Sequence, residues 1–167
     1  MRKAKPGAVR ADHETRVTDD HHQSLRLWLR MLACANLIES DIRNRLRVDF
    51  QTTLPRFDLM AQLERHPDGL KMGELSKRMM VTGGNVTGIT DQLVAEGLVV
   101  REDNPKDRRA YIVKLTQQGR KTFQQMAEAH EGWIVELFKG LEEDEKQQLY
   151  ELLARLKEHV ASVSPAS

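Results

Sequence analysis

The sequence predicts a mainly α-helical fold with one small β-hairpin and long helices at both ends. Three observations predict it. Apolar residues recur at three- and four-residue spacing through most of the chain, the period of an amphipathic helix. That period changes once, between Leu98 and Leu115, where two apolar runs flank the polar stretch Glu102-Asp103-Asn104-Pro105-Lys106-Asp107. Helix breakers fall between the periodic segments, at His66-Pro67-Asp68-Gly69, Gly97 and Gly140.

Residues 1–18 mix Lys, Arg, Asp, Pro and Gly with almost nothing apolar, the composition of a mobile tail. Leu25, Trp28, Leu29, Leu32, Cys34, Leu37, Ile38, Ile42 and Leu46 then predict one long helix over 19–47. Its stripe is longer than one small domain covers, so a partner helix is its natural cover. Thr53-Leu54-Pro55 opens a second helix, with Pro55 near the first helical position, where a missing N–H costs nothing. It runs through Phe57, Leu59, Met60 and Leu63. A short helix over 72–79 buries Met72, Leu75 and Met79. The next starts near Thr82, whose hydroxyl can cap free amides, turns Val86, Ile89 and Leu93 inward, and stops at Gly97, a good left-handed residue. Leu98-Val99-Val100 and Ala110-Tyr111-Ile112-Val113-Lys114-Leu115 are the strands of the hairpin. Thr116 caps a long helix over 116–139, with Phe123, Met126, His130, Trp133, Ile134 and Leu137 inward. The last helix, over 142–161, opens on Glu142-Glu143-Asp144-Glu145, acids where the helix dipole favours them. It buries Leu149, Leu152, Leu153, Leu156 and Val160, and residues 163–167 fray.

A chain of 167 residues is enough for one core, here expected over 19–162. The formal charge of +1 decides nothing, because a nucleic-acid binder needs a local basic face, not a basic total. The single cysteine, Cys34, cannot close an internal disulfide, so a cytoplasmic protein is expected. No apolar run approaches the ~20 residues needed to span a bilayer, and no apolar stretch follows the basic N-terminus as a secretory signal requires. His13, His21, His22, His66, His130 and His159 form no metal-ligand spacing, Gly83-Gly84 lacks the lysine of a phosphate loop, and no nucleophile has a base and orienter. Neither an enzyme nor a metal or cofactor is expected.

Two short helices joined by a tight turn and followed by a hairpin form a winged helix-turn-helix lobe, here over 54–115. Its recognition helix, 83–96, would lie in a DNA major groove. The hairpin carries Arg101, Lys106, Arg108 and Arg109 on or beside its turn, where phosphates or a minor groove are in reach. The bland alternative is a solvated charged hairpin; its place directly after the helix pair favours the wing.

The run from Gly69 to Gly119 resembles the MarR family (multiple antibiotic resistance regulators). The matching residues are Gly69-Leu70-Lys71-Met72-Gly73-Glu74-Leu75, then Asn85-Val86-Thr87-Gly88-Ile89-Thr90-Asp91-Gln92-Leu93 with Glu96-Gly97-Leu98-Val99, then Asp107-Arg108-Arg109-Ala110 with Leu115-Thr116 and Gly119. The resemblance implies a homodimer of triangular outline whose terminal helices (19–47, 116–139, 142–161) intertwine while two lobes bind a pseudo-palindromic operator. It implies that Arg109 enters the minor groove, with Asp107 either bracing it or serving only as a turn former; Ser76 and Lys77, in the helix before the recognition helix, are candidate phosphate contacts. The chain departs from the family in one respect: it has no Lys or Arg from Thr82 to Gly97, where the family commonly carries Arg at the positions of Gly88 and Gln92. Gly83, Gly84 and Gly88 either fray the helix or let its backbone approach DNA closely, leaving Thr82, Asn85, Thr87 and Gln92 as polar contacts and Asn85 and Thr87 to read base edges.

The family resemblance also implies an effector cleft between the dimer layer and the lobe, often for aromatic acids. Trp28, Met31, Leu32, Arg56, Phe57, Met60 and His130 either line such a cleft or belong to ordinary core and surface. The stretch from Thr52 to Leu63 is similar to regulators of hydroxycinnamate catabolism, which respond to coenzyme A thioesters; Arg26, Arg30 and Arg56 would then meet nucleotide phosphates. Two alternatives stand beside the ligand-released repressor. Cys34 is either an inert buried hydrophobe or a thiol switch, and a recognition helix without a Lys or Arg also suits a helical interaction protein with weak DNA binding.

On the leading reading, Arg109→Ala weakens operator binding by about 1–3 kcal/mol without unfolding the chain. Asn85→Ala instead costs discrimination between operator and scrambled DNA, since base contacts specify and phosphate contacts position. Titrations of both duplexes at several salt concentrations check this; undiminished operator binding by Arg109→Ala sinks the wing assignment.

Overall fold

A computed structural model describes residues 22–79, 86–104 and 107–163, with only the backbone of Arg108 and Arg109. Its elements run α1 (Gln23–Phe50), α2 (Leu54–Glu64), β1 (Leu70–Lys71), α3 (Met72–Arg78), α4 (Val86–Ala95), β2 (Val99–Asn104), β3 (Asp107–Leu115), α5 (Gln117–Leu137) and α6 (Glu143–Val163). The fold is mainly helical with a small antiparallel sheet in the order β1-β3-β2. α1 ends where Gln51 turns left-handed, and Pro55 sits in the first turn of α2 as expected.

The sheet differs from the expected hairpin in two ways. A third strand, β1, pairs Leu70 with Val113 and Lys71 with Ile112. Gly69 makes this pairing possible: its φ is +88°, and a Cβ there would fall 2.3 Å from the Ile112 side chain and 2.8 Å from the Val113 carbonyl. The hairpin is also longer than the apolar runs suggest. Glu102, Asp103 and Asn104, expected in the turn, belong to β2, and Asp107 opens β3. Ladder hydrogen bonds need no apolar side chains, and the diagonal pair Lys114–Glu102, at 2.7 Å, lets charged residues hold the register in solvent.

One apolar cluster joins the lobe to the long helices. Leu46, Leu59, Met60, Leu63, Leu75, Leu93 and Val113 are fully buried, and Ile42 of α1 and Phe123 and Met126 of α5 belong to the same cluster. α5 thus gives Phe123 and Met126, both expected inward, to the core that it shares with the lobe. Of the short helix's three expected core residues, Leu75 and Met79 are buried and Met72 half-buried. Thr90 is also buried; its hydroxyl donates to the Val86 carbonyl at 2.7 Å. The terminal helices behave otherwise. α1 has only Ile42 and Leu46 buried, and α6 has no buried residue. Leu149, Leu152, Leu153, Leu156 and Val160, expected as a buried face, are exposed in the single chain, because among the described residues no element buries them.

The end of α4 and the start of α5 are locked together. Gly97 takes φ +71°, and the Leu98 and Gly97 amides donate to the carbonyls of Leu93 (2.9 Å) and Val94 (3.0 Å), a Schellman closure. The Thr116 hydroxyl accepts from the Gly119 amide at 2.9 Å and donates to the Gly97 carbonyl at 2.7 Å. The Thr116 amide donates to the Leu98 carbonyl at 3.1 Å. Gly119 is required here: a Cβ would lie 1.8 Å from the Leu98 carbonyl oxygen.

Gly119→Ala should therefore destabilise the fold by about 1–3 kcal/mol through forced separation of the two backbones. Gly73→Ala, in α3 where an added Cβ meets nothing within 4 Å, should be neutral or stabilise by about 0.4–1 kcal/mol. Denaturant melts of both variants check the contrast, and equal stability of the two would refute the close-packing account.

Candidate nucleic-acid interface

α3, α4 and the wing strands present the residues expected at DNA. Ser76 and Lys77 are exposed on α3. Thr90 and Leu93 pack inward from α4, which turns Thr87 and Gln92 outward with Gly88 half-buried beside them. Asp107 is exposed at the start of β3, opposite Asn104. Arg108 and Arg109 follow it in the strand. Thr82, Gly83, Gly84, Asn85 and Lys106 lie outside the described residues.

Arg101, expected beside the wing turn within reach of phosphates or a minor groove, is paired inside the lobe in the single chain. Its guanidinium crosses from β2 to α4 and donates to Asp91 Oδ1 at 2.5 Å. Asp91 carries the only charge on α4, and nothing in a local pattern marks it as the partner of a residue ten positions away.

Within the single chain the expected effector residues lie in two separate places. Arg26, Trp28 and Leu32 are exposed and Met31 half-buried in the first turns of α1, with Arg30 beside them. Leu32 is about 27 Å along the helix from Phe50, at 1.5 Å per residue. Phe57 and Met60 are core. Phe57 stacks with His130 (centroids 5.0 Å apart) and Phe123 (5.4 Å), and burial holds the His130 imidazole below its usual pKa. Arg56 and Met60 instead line a cavity of about 150 Å³ with Gln51, Thr52, Glu96 and Thr122, residues that no periodicity singles out. The Arg56 guanidinium pairs with Glu96 at the end of the recognition helix, and its buried Nε has no hydrogen-bond partner. Cys34, one branch of whose reading made it a buried hydrophobe, is exposed in the single chain, since the first half of α1 has no buried residue.

The α1–α2 and α1–α5 contacts are electrostatic as well as apolar. Arg45 donates to Asp41 (2.6 Å) on its own helix and to Glu136 (2.8 Å) on α5, with its guanidinium 6.0 Å from the Trp133 ring. Asp58 of α2 has no such relief. Desolvation, and then the charge of Glu39 on α1, push its carboxyl up to about 6, against the pull of Arg65.

A short two-helix unit, a two-stranded wing beside it and a locked exit from the recognition helix find their counterparts among known proteins. The MarR family model matches residues 50–110. The MarR family transcriptional regulator of Silicibacter pomeroyi, a solved structure, is 36% identical, with 88% of this chain and all of that chain covered at a TM-score of 0.72. The chain belongs to the MarR family. The mutant E. coli MarR solved in complex with operator DNA is 26% identical, covers 83% of this chain and 99% of its own, and superposes with a TM-score of 0.70. The HTH-type transcriptional regulator YkoM of Bacillus subtilis is 35% identical over 89 residues, which span 53% of this chain and 58% of YkoM. These relatives are transcriptional regulators, not enzymes.

Asp58 yields a pH prediction. The folded state holds a proton there that the unfolded chain, with an ordinary pKa of 3.8, releases earlier. Between about pH 4 and pH 6 the native state thus binds more protons, so this group's contribution to stability falls as pH rises through that window and is flat above it. Asp58→Asn should raise the melting temperature at pH 7.5, and its advantage should shrink toward pH 4. A constant gap across that range would contradict the assignment.

Proposed function

We propose that the chain is a cytoplasmic homodimeric regulator that binds a pseudo-palindromic operator, represses the adjoining genes, and is released by a small aromatic acid or its coenzyme A thioester. The observation that carries the DNA reading is the exposed polar face of α4 beside the protruding wing strands, in a fold shared with a relative solved on operator DNA. The homodimer reading is supported by α1 and α6, which leave Leu25, Trp28 and Leu32, and Leu149, Leu153 and Leu156, uncovered along long helices. Such stripes suit an obligate dimer burying more than ~2,000 Å². The effector reading is supported by the cavity at Arg56, where a guanidinium nitrogen lacks a partner. Its volume of about 150 Å³ suits a small acid and leaves a nucleotide tail outside. An acid held by Arg56 would compete with Glu96 for the guanidinium and so act on the end of the recognition helix. The lobe spacing would then depart from successive major grooves, ~34 Å apart.

The test joins assembly, DNA and ligand. Light scattering should give a dimer down to low micromolar concentration, and a persistent monomer would refute the paired helices. An aromatic acid at ~100 times its dissociation constant should stabilise the protein by about 2.7 kcal/mol and lower operator affinity in a gel-shift titration. Operator binding that no aromatic acid or thioester alters would end the ligand-release part and leave the DNA part standing.

A further inference from the structure

The recognition helix of this protein is acidic where it faces outward. Asp91 is the one charged residue between Val86 and Ala95, and its side chain is 57% exposed. Helical spacing sets it one turn from Thr87 and Gly88, on the face opposite the buried Leu93. A bare carboxylate there would enter a groove walled by phosphates and be repelled by them. The Arg101 guanidinium, only 28% exposed, holds that carboxylate at 2.5 Å from the neighbouring strand β2.

We propose that Arg101 shields Asp91 and fixes the wing against the recognition helix, and that Asp91 in turn withholds Arg101 from phosphate, restraining affinity for arbitrary DNA. The inference rests on the DNA-binding reading above. It makes Arg101 a positioning residue and Asp91 a selectivity residue. A phosphate contact by Arg101 in the bound state is the competing role. The two roles differ in what Asp91 does when Arg101 is removed. If Arg101 shields, deleting it exposes a repulsive charge, and deleting that charge restores binding. If Arg101 touches phosphate, the lost contact is not recovered by deleting Asp91 as well, and the double variant stays far weaker than the unaltered chain.

The experiment uses the full chain and a duplex enriched by it from a random library, with a shuffled duplex of the same composition beside it. Arg101→Ala should weaken binding to the enriched duplex roughly tenfold or more. The double variant with Asp91→Asn should return most of that loss. Asp91→Asn alone should bind the shuffled duplex more tightly and steepen its salt dependence by about one unit, because Arg101 is freed for phosphate. Arg101→Lys, which keeps the charge, should stay close to the unaltered chain on both duplexes. Thermal melts accompany each variant; if Arg101→Ala is unfolded, Asp91→Asn carries the test by itself, since it removes a charge with almost no change of shape. A double variant as weak as Arg101→Ala, or an Asp91→Asn chain that binds the shuffled duplex no better than the unaltered one, overturns the shielding role while leaving DNA binding intact. Failure of the unaltered chain to enrich any duplex overturns the DNA reading and the shielding role with it.

Discussion

The recognition helix, the wing and α5 are placed together by one backbone junction, where the Leu98 carbonyl meets Gly119 and Thr116. Three elements end or begin there. The recognition helix closes on Gly97, the first wing strand leaves through Leu98, and α5 starts under the Thr116 cap. The Thr116 hydroxyl works in both directions at once, as acceptor from Gly119 and donor to Gly97. Helix exit, wing and long helix therefore share one set of hydrogen bonds, and none can rotate without breaking a bond that belongs to another. Because α5 continues into the cluster of Trp133 and Ile134 and toward α6, the angle of the recognition helix is tied to the angle of the terminal helices.

The cations of the lobe follow the same logic. Arg101 ties β2 to α4, Arg56 ties α2 to the end of α4, and Arg120 reaches Glu64 at 3.0 Å across α5 and α2. Partly exposed pairs of this kind contribute about 0–1 kcal/mol each, too little to explain their presence as stability. Their effect is directional: each fixes one element against the next. A chain with almost equal numbers of acids and bases thereby spends several of its arginines on its own geometry.

Periodicity made most of the fold legible. Helices dominate the sequence, and a helix announces itself over ten residues or more; the caps at Pro55, Gly97 and Thr116 were legible for the same reason, since each answers a local backbone need. β1 was not, because two residues carry no period and its pairing with Val113 and Ile112 spans over forty positions. The wing's length was hidden because its outer half is charged on both strands. At the site, residue types were legible and partners were not. Arg101 and Arg56 could be named as cations from the chain alone, but Asp91 and Glu96 reach them only through the packed lobe. The apolar residues of α1 and Arg56 share chemistry suited to a ligand, but within one chain the length of the helix separates them.

The first half of α1 stands as some fifteen residues of helix in which no residue is buried by the described part of its own chain. A helix of that length is marginal in water when nothing packs on it, so its amide protons exchange through openings of small free energy. Under the proposed pairing a second chain would supply the missing cover, and those openings would wait on separation of the two chains. The protection of the amides between Leu25 and Leu37 would then act as a clock for the assembly, slow while the partner stays and fast once it leaves, with the lobe core as an internal standard that does not change pace.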